Sequence, residues 1–422
     1  MRPAAAKAAA YLLLTLLVGL TFFPCYYFMT DGHRTFWAYL GLFVAAIWVS
    51  FPAYKSTVLR VLTTTLTLLI VANALASPIV IDLDGPPLKT LTPNVSANTR
   101  IVGDKFPGIH GVQTFTTDSA GHRVNRPIDY DRKPPHTLRI VAIGASTTHQ
   151  AMLGDRNTWT DLLAVRLEKS LGRPVEMINT GVSGTRLQDN FTVFEDSASY
   201  APDVALFLIG INDWNVHIKL EHRPAIFKTL SFLDPFTVSE SILFRAVEEN
   251  ITWYLRAYVS DLIHGRATVT DGIHEEAGPD DSLLDTVRRK PVARVDIGTV
   301  SPNYAKWFAR IARDCDSRNI LCLFISQPTA YSPDIEPALL KLLWMTPPAA
   351  PYTLDLASLR QVADTYNNWL RNHAQGGHRA FCDAAAGMPP TTDFFTDDCH
   401  YNENGARRMS EIIERCLLEA RR

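Results

Sequence analysis

Apolar positions fall into two regimes along the chain. Before residue 82 they form three nearly uncharged runs, at 10–29, 35–54 and 61–81. Each has the length of a helix that crosses a hydrocarbon core of about 30 Å. Tyr26, Tyr27, Trp37 and Tyr54 lie near the run ends, where amphipathic rings favour the headgroup region. Beyond residue 82 the apolar residues come in shorter bursts. LRIVAI (138–143), VEMIN (175–179), DVALFLIG (203–210), NILCLFIS (319–326) and HRAFCD (378–383) are continuous runs of the kind buried parallel strands show. Between them, residues 158–172, 304–318, 356–374 and 404–420 carry apolar residues at helical spacing, the first closed by Gly172. Strands alternating with helices predict a three-layer α/β/α domain around a parallel sheet.

The pattern divides the chain into a membrane anchor of three transmembrane helices (1–84), a stalk or lead-in rich in Pro, Gly, Asn and Thr (85–136), and an α/β domain (137–422). Within the domain the rhythm breaks at about 215–302, where amphipathic stretches mix with a charged run. That region is expected to be an insertion. The first apolar run exceeds the usual ~7–15 residues of a signal-peptide core and two more follow, which favours an anchor over a cleaved leader. Arg2 and Lys7 precede the first run, and Lys55 and Arg60 lie between the second and third. Positive residues stay in the cytoplasm, so three crossings place the domain on the extracytoplasmic side of the cytoplasmic membrane.

Charge adds an exclusion. With 41 Lys+Arg against 43 Asp+Glu, no large basic surface for nucleic acid is expected. Five of the six cysteines (Cys315, Cys322, Cys382, Cys399, Cys416) lie in the exported part, where disulfides are permitted. No CxxC or Cys/His spacing suggests structural zinc. Cys322, inside an apolar strand, is expected to be a small core residue.

Ligands of such sheets bind outside the carboxyl ends of the strands. The first strand is followed by GASTT with Ser146, the second by NTGVSGT with Gly184, the third by GINDW with Asn212. Near the chain end comes DDCHYNENG with Asp397 and His400. A serine, an imidazole and a carboxylate are what acyl transfer needs: a nucleophile, a base to take its proton, and a group to orient the base. The N–H groups of Ser146 and Gly184 and the Asn212 amide would stabilise the oxyanion, each worth about 3 kcal/mol in the transition state. Each piece also has a bland reading. Asn-Asp after a strand is common turn chemistry, Gly184 fits a left-handed turn, and Asp397 and His400 could cap the last helix. Trp214 and Trp307 are either pocket or core.

Taken in order, Ser146 in IGAST, Gly184 in NTGVSG, Asn212 in GINDW and Asp397/His400 in DDCHYNENG resemble the four blocks of the SGNH (GDSL-type) hydrolases, over residues 138 to 422. The resemblance implies a flavodoxin-like sheet and an esterase, lipase, thioesterase or carbohydrate O-acetylesterase with no metal or other cofactor. Ala145 replaces the Asp of the family's Gly-Asp-Ser. The family spacing selects Asp397 over Asp398 and the more remote Asp393 as the acid. Ser183 is a rival nucleophile, but its surroundings lack the Gly-x-Ser-x-Gly elbow of an α/β-hydrolase. A Cys382–Cys399 disulfide would tie the His400 loop to the sheet; two unrelated thiols are the alternative. The expected substrate is an acyl ester on an envelope glycan or lipid. O-acyl transfer through the same acyl-enzyme and a non-catalytic envelope-binding module are the competing functions.

Overall fold

A computed structural model describes residues 90–223, 269–278, 281–344, 347 and 350–421. The three apolar runs before residue 82, and the part of the insertion between 224 and 268, lie outside these residues. Among the described residues no helix is long and apolar enough to cross a membrane. The account below concerns the compact unit formed by residues 85–222, 255–348 and 352–422.

Among the described residues there are nine strands: β1 (Ser96–Ile101), β2 (Val112–Thr116), β3 (Arg123–Val124), β4 (Leu138–Gly144), β5 (Val175–Asn179), β6 (Val204–Leu208), β7 (Val269–Glu276), β8 (Leu321–Ile325) and β9 (Arg379–Cys382). Six of them form the main sheet in the order β3-β5-β4-β6-β8-β9. From β5 to β9 every pairing is parallel, in the 2-1-3-4-5 order of flavodoxin-like folds. The edge strand β3 runs antiparallel to β5, so the sheet is mixed rather than wholly parallel. Strands β4, β5 and β6 are buried at every position, which is why they read as unbroken apolar runs rather than alternating ones.

The helices start and stop where local chemistry satisfies their ends. In α1 (Ser146–His149) there is a single turn. Helix α2 (Trp159–Leu171) begins at Thr158, whose side chain accepts from the Asp161 N–H, and stops at left-handed Gly172. Next come α3 (Leu187–Ser197), α4 (Ile211–His222) and α5 (Asp281–Arg288). Helix α6 (Pro302–Arg318) has the Ser301 cap and a proline at its first position. A further turn, α7 (Pro337–Leu340), precedes α8 (Leu356–His373), capped by Asp355, and α9 (Glu403–Ala420), capped by Asn402. The sequence rhythm breaks near Trp214, yet α4 carries on to His222.

Two disulfides fasten helices to the sheet. Cys322 on β8 pairs with Cys315 on α6, and Cys382 on β9 with Cys416 on α9. Cys322 lies opposite Arg379 across the β8/β9 ladder, three residues before Cys382. Side chains alternate along a strand, so Cys322 and Cys382 point to opposite faces. One bridge therefore holds α6 to one face and the other holds α9 to the opposite face. Cys322 is buried in the core, as expected, and is cross-linked there. One expectation is corrected: Cys382 does not bond Cys399. Strand parity sends Cys382 toward α9, while Cys399 remains a buried free thiol.

Residues 90–136 carry strands β1, β2 and β3. Strands β1 and β2 pair antiparallel, and β7, from the expected insertion, adds to β1 in parallel. This small sheet is tied to the segment that follows α1. Asp155 accepts from the N–H and hydroxyl of Thr116, and Gln113 accepts from the Gly154 N–H through Oε1 while donating to Glu403 through Nε2.

Candidate active site

Of the loops that leave the carboxyl edge of the main sheet, those after β4, β5, β6 and β9 carry the expected site residues. The loop after β4 turns directly into α1, with Ser146 as its first residue and half-buried. Ala145 is buried, and its carbonyl accepts from the Thr148 and His149 N–H groups. The turn is held from outside by Arg123 of β3, which is 4% exposed. Its guanidinium donates to the carbonyls of His149, Gln150 and Leu153 and to Asp155. Arg123 lies within a stretch whose composition reads as stalk, and its two-residue strand is too short for a periodicity signal.

The loop after β5 packs its backbone against that turn. A Cβ added at Gly181 would lie 2.5 Å from the His149 nitrogen, so only glycine permits the approach. Gly184 has φ +83°, a conformation that L side chains rarely adopt. Neither the Ser146 nor the Gly184 N–H has an acceptor among the described residues. Asn212, in the first turn of α4, donates one amide N–H to Thr185 O at 2.8 Å; its second N–H remains available. Next to it, buried Asp213 accepts from the Leu187 N–H at the start of α3. The adjacent pair Asn212 and Asp213 thus grips the Gly184 loop at two points. Burial pushes the Asp213 carboxyl up to about 7, with Arg186 opposing.

His400 and Asp397 form the best-defined pair. His400 Nδ1 lies 2.7 Å from Asp397 Oδ2 and 3.0 Å from Oδ1. A carboxylate accepts only, so Nδ1 carries the proton and Nε2 is left as the base. The Cys399 and His400 N–H groups both donate to Asp397 Oδ1 at 2.9 Å, fixing the carboxylate. Burial would raise Asp397, but the His400 charge and these hydrogen bonds hold it below its ordinary value. Burial would lower His400, yet attraction to Asp397 and the hydrogen bond to its carboxylate carry it well above 6.5. The direction stands on the carboxylate, since the His400 side chain is 41% exposed and burial pulls on it only weakly. Cys399 Sγ is 3.8 Å from Nδ1, but burial pushes this thiol up, so it stays protonated and is a poor nucleophile.

The competing assignments separate on geometry. Asp398 is turned away: its carboxylate takes the Trp344 N–H and its carbonyl the Ala330 N–H. Asp393 is exposed. Neither Asp397 nor His400 caps the last helix; Asn402 does so, accepting from the Gly405 N–H. The run Asn402-Glu403-Asn404-Gly405 carries that cap signal in sequence. Trp214 and Trp307 are 1% and 0% exposed and belong to the core. Ser183 is exposed and bonded to His149 Nδ1 at 3.0 Å. However, burial, then the charges of Arg123 and His400, lower His149 to about 4, which leaves a weak base. No hydrogen bond joins Ser146 Oγ to the His400 ring among the described residues; such contacts tighten when substrate binds.

Asp397, Cys399 and His400 bring three ligand-type atoms within 4.8 Å of one another, a set that could hold a metal ion. The imidazole and carboxylate atoms of that set already bond each other.

Comparison with known proteins follows the same boundaries. A family model described as the GDSL-like Lipase/Acylhydrolase family matches residues 142–408. No curated relative matches the chain. Among solved structures it is similar to a catalytic mutant of an acetylxylan esterase from Geobacillus stearothermophilus, with 11% identity, 68% of this chain and 96% of the other covered, and a TM-score of 0.37. An acetyl xylan esterase, AlAXEase, shares 13% identity over 65% of this chain and 98% of its own, with a TM-score of 0.33. A GDSL-like lipase from Bacteroides thetaiotaomicron shares 11% identity over 67% and 88%, with a TM-score of 0.31.

Proposed function

The chain belongs to the GDSL-like lipase/acylhydrolase family and is an ester hydrolase, and from that premise we propose that Ser146, His400 and Asp397 form its catalytic triad. Ser146 Oγ attacks the ester carbonyl as its proton passes to His400 Nε2. The resulting oxyanion takes hydrogen bonds from the N–H groups of Ser146 and Gly184 and from the Asn212 amide. Collapse breaks the bond to the alcohol, which leaves with the proton from His400. Water, deprotonated by the same imidazole, then attacks the acyl-enzyme and frees Ser146. Asp397 holds the imidazole in the reactive tautomer and stabilises its cation throughout. The observation that carries this reading is the 2.7 Å bond between His400 Nδ1 and Asp397 Oδ2 on a ring whose outer edge is exposed.

The substrate in this proposal is an acyl ester on an envelope glycan or lipid, met outside the cytoplasmic membrane by a domain anchored through residues 1–84. The three apolar runs and the basic residues around them support the anchor. Two disulfides in the domain support an oxidising location.

Labelling with a fluorophosphonate, followed by mapping of the modified peptide, tests the chemistry. Wild type is expected to label at Ser146, and Ser146→Ala and His400→Ala to lose labelling. Ser183→Ala is expected to label normally. Modification of Ser183 in the wild type would transfer the nucleophile to that residue. Release of free acid from an ester substrate, against its transfer to an added sugar, separates hydrolysis from O-acyl transfer.

A further inference from the structure

The loop after β8 contains a polar group that joins the two halves of the site. Gln327, two residues past the end of β8, is 1% exposed. Its Nε2 donates to Pro328 O at 3.0 Å and to the Tyr401 hydroxyl at 3.2 Å. Its Oε1 accepts from Thr147 Oγ1 at 3.2 Å. The Pro328 carbonyl can only accept, so it fixes which end of the amide is nitrogen and leaves Oε1 for Thr147. The backbone is held from α8 as well: Gln327 N donates to Asn367 Oδ1 at 2.9 Å, and Asn367 Nδ2 donates to Gln327 O at 3.0 Å. Thr147 is the neighbour of Ser146, and Tyr401 the neighbour of His400. One buried amide is therefore bonded to the residue beside each reacting side chain.

We propose that Gln327 is a positioning residue for ester hydrolysis, setting the separation of Ser146 and His400 by clamping Thr147 to Tyr401. The inference rests on the triad reading above. Ser146 sits on a one-turn helix and His400 on a loop, so neither is placed by a long regular element. A misplacement of about 1 Å between reacting groups can cost about 100-fold in rate. The amide does not titrate, so its loss lowers the rate without moving the pH at which the base ionises.

The test uses the full chain, with Gln327→Met chosen to keep volume while removing both side-chain links. Its fluorophosphonate labelling rate and its kcat on a simple aryl ester are expected to fall about 10- to 100-fold. KM stays within about twofold, and the pH midpoint and the folded circular-dichroism spectrum are unchanged. Thr147→Val and Tyr401→Phe each lower the rate by a smaller factor, and Thr147→Val adds nothing to Gln327→Met, because both break one linkage. A folded Gln327→Met that labels at the wild-type rate overturns the inference, as do fully multiplicative effects of the two substitutions. If Gln327→Met does not fold, Thr147→Val and Tyr401→Phe decide: wild-type rates in both overturn it, and slowed rates at unchanged KM support it. Wild type that fails to label at Ser146 defeats the triad reading first, whereas normal wild-type labelling with an unaffected Gln327→Met defeats the inference alone.

Discussion

In the proposed mechanism, His400 is the general base, and its environment most directly sets the enzyme's behaviour. A general base works only when neutral, and this imidazole binds its proton more tightly than an ordinary histidine does. Activity is therefore expected to fall as pH drops through a midpoint above 6.5, measurable in a kcat/KM profile. Asp397→Asn removes the carboxylate that sustains the shift. Its midpoint should move down, with kcat reduced by about 10³- to 10⁴-fold. An unchanged midpoint would mean that another group titrates. The same pair has a stability consequence of definite sign. It stabilises the fold between the two titrations: the contribution is lost as pH rises through the raised His400 value and as pH falls through the lowered Asp397 value. Asp213 favours low pH. Its proton is held up to about 7 in the fold, so stability falls as pH rises from about 4 to 7. Asp213→Asn should raise the melting temperature more at pH 8 than at pH 5; a gain independent of pH would exclude the buried charge as the cause.

At the scale of elements, the strand edge β3 and the bridge to α9 bear most directly on the site. Arg123 holds three carbonyls that follow the nucleophile, and removing it leaves those acceptors without donors. Arg123→Ala is expected to cost about 3 kcal/mol or more in urea unfolding. Arg123→Lys should recover only part of this, since one ammonium cannot reproduce the guanidinium fork. The Cys382–Cys416 bridge, spanning 34 residues, is worth about 4 kcal/mol by loop-closure entropy. Cys416→Ser should lower the melting temperature clearly, while Cys399→Ser should leave it nearly unchanged. The reverse ranking would restore the pairing of Cys382 with Cys399.

At the scale of the whole molecule, how far the sequence could be read depended on how local each signal was. Strands β4, β5, β6 and β8 are legible because burial on both faces demands unbroken apolar runs. The order of Ser146, Gly184, Asn212 and His400 is legible because each follows its own strand or opens a helix. Strands β1, β3 and β7 are not, because short and partly exposed strands lack periodicity and β7 pairs with a strand far away in sequence. Disulfide partners were equally hidden, since strand parity and the seating of α9 are properties of packing. Gln327 was overlooked because glutamine before proline carries no signal until the fold brings Thr147 and Tyr401 to it.

The parallel sheet has a further consequence for when activity can arise. Ser146 follows β4, inside the sheet, but Asp397 and His400 come after the edge strand β9, far later in the sequence. In the proposed mechanism, a truncated chain ending before Thr396 retains the nucleophile and both backbone oxyanion donors, yet has no base. On the proposed triad, activity is thus a timer as much as a chemistry: no ester is cut until synthesis has passed His400 and the first turn of α9 has closed behind it.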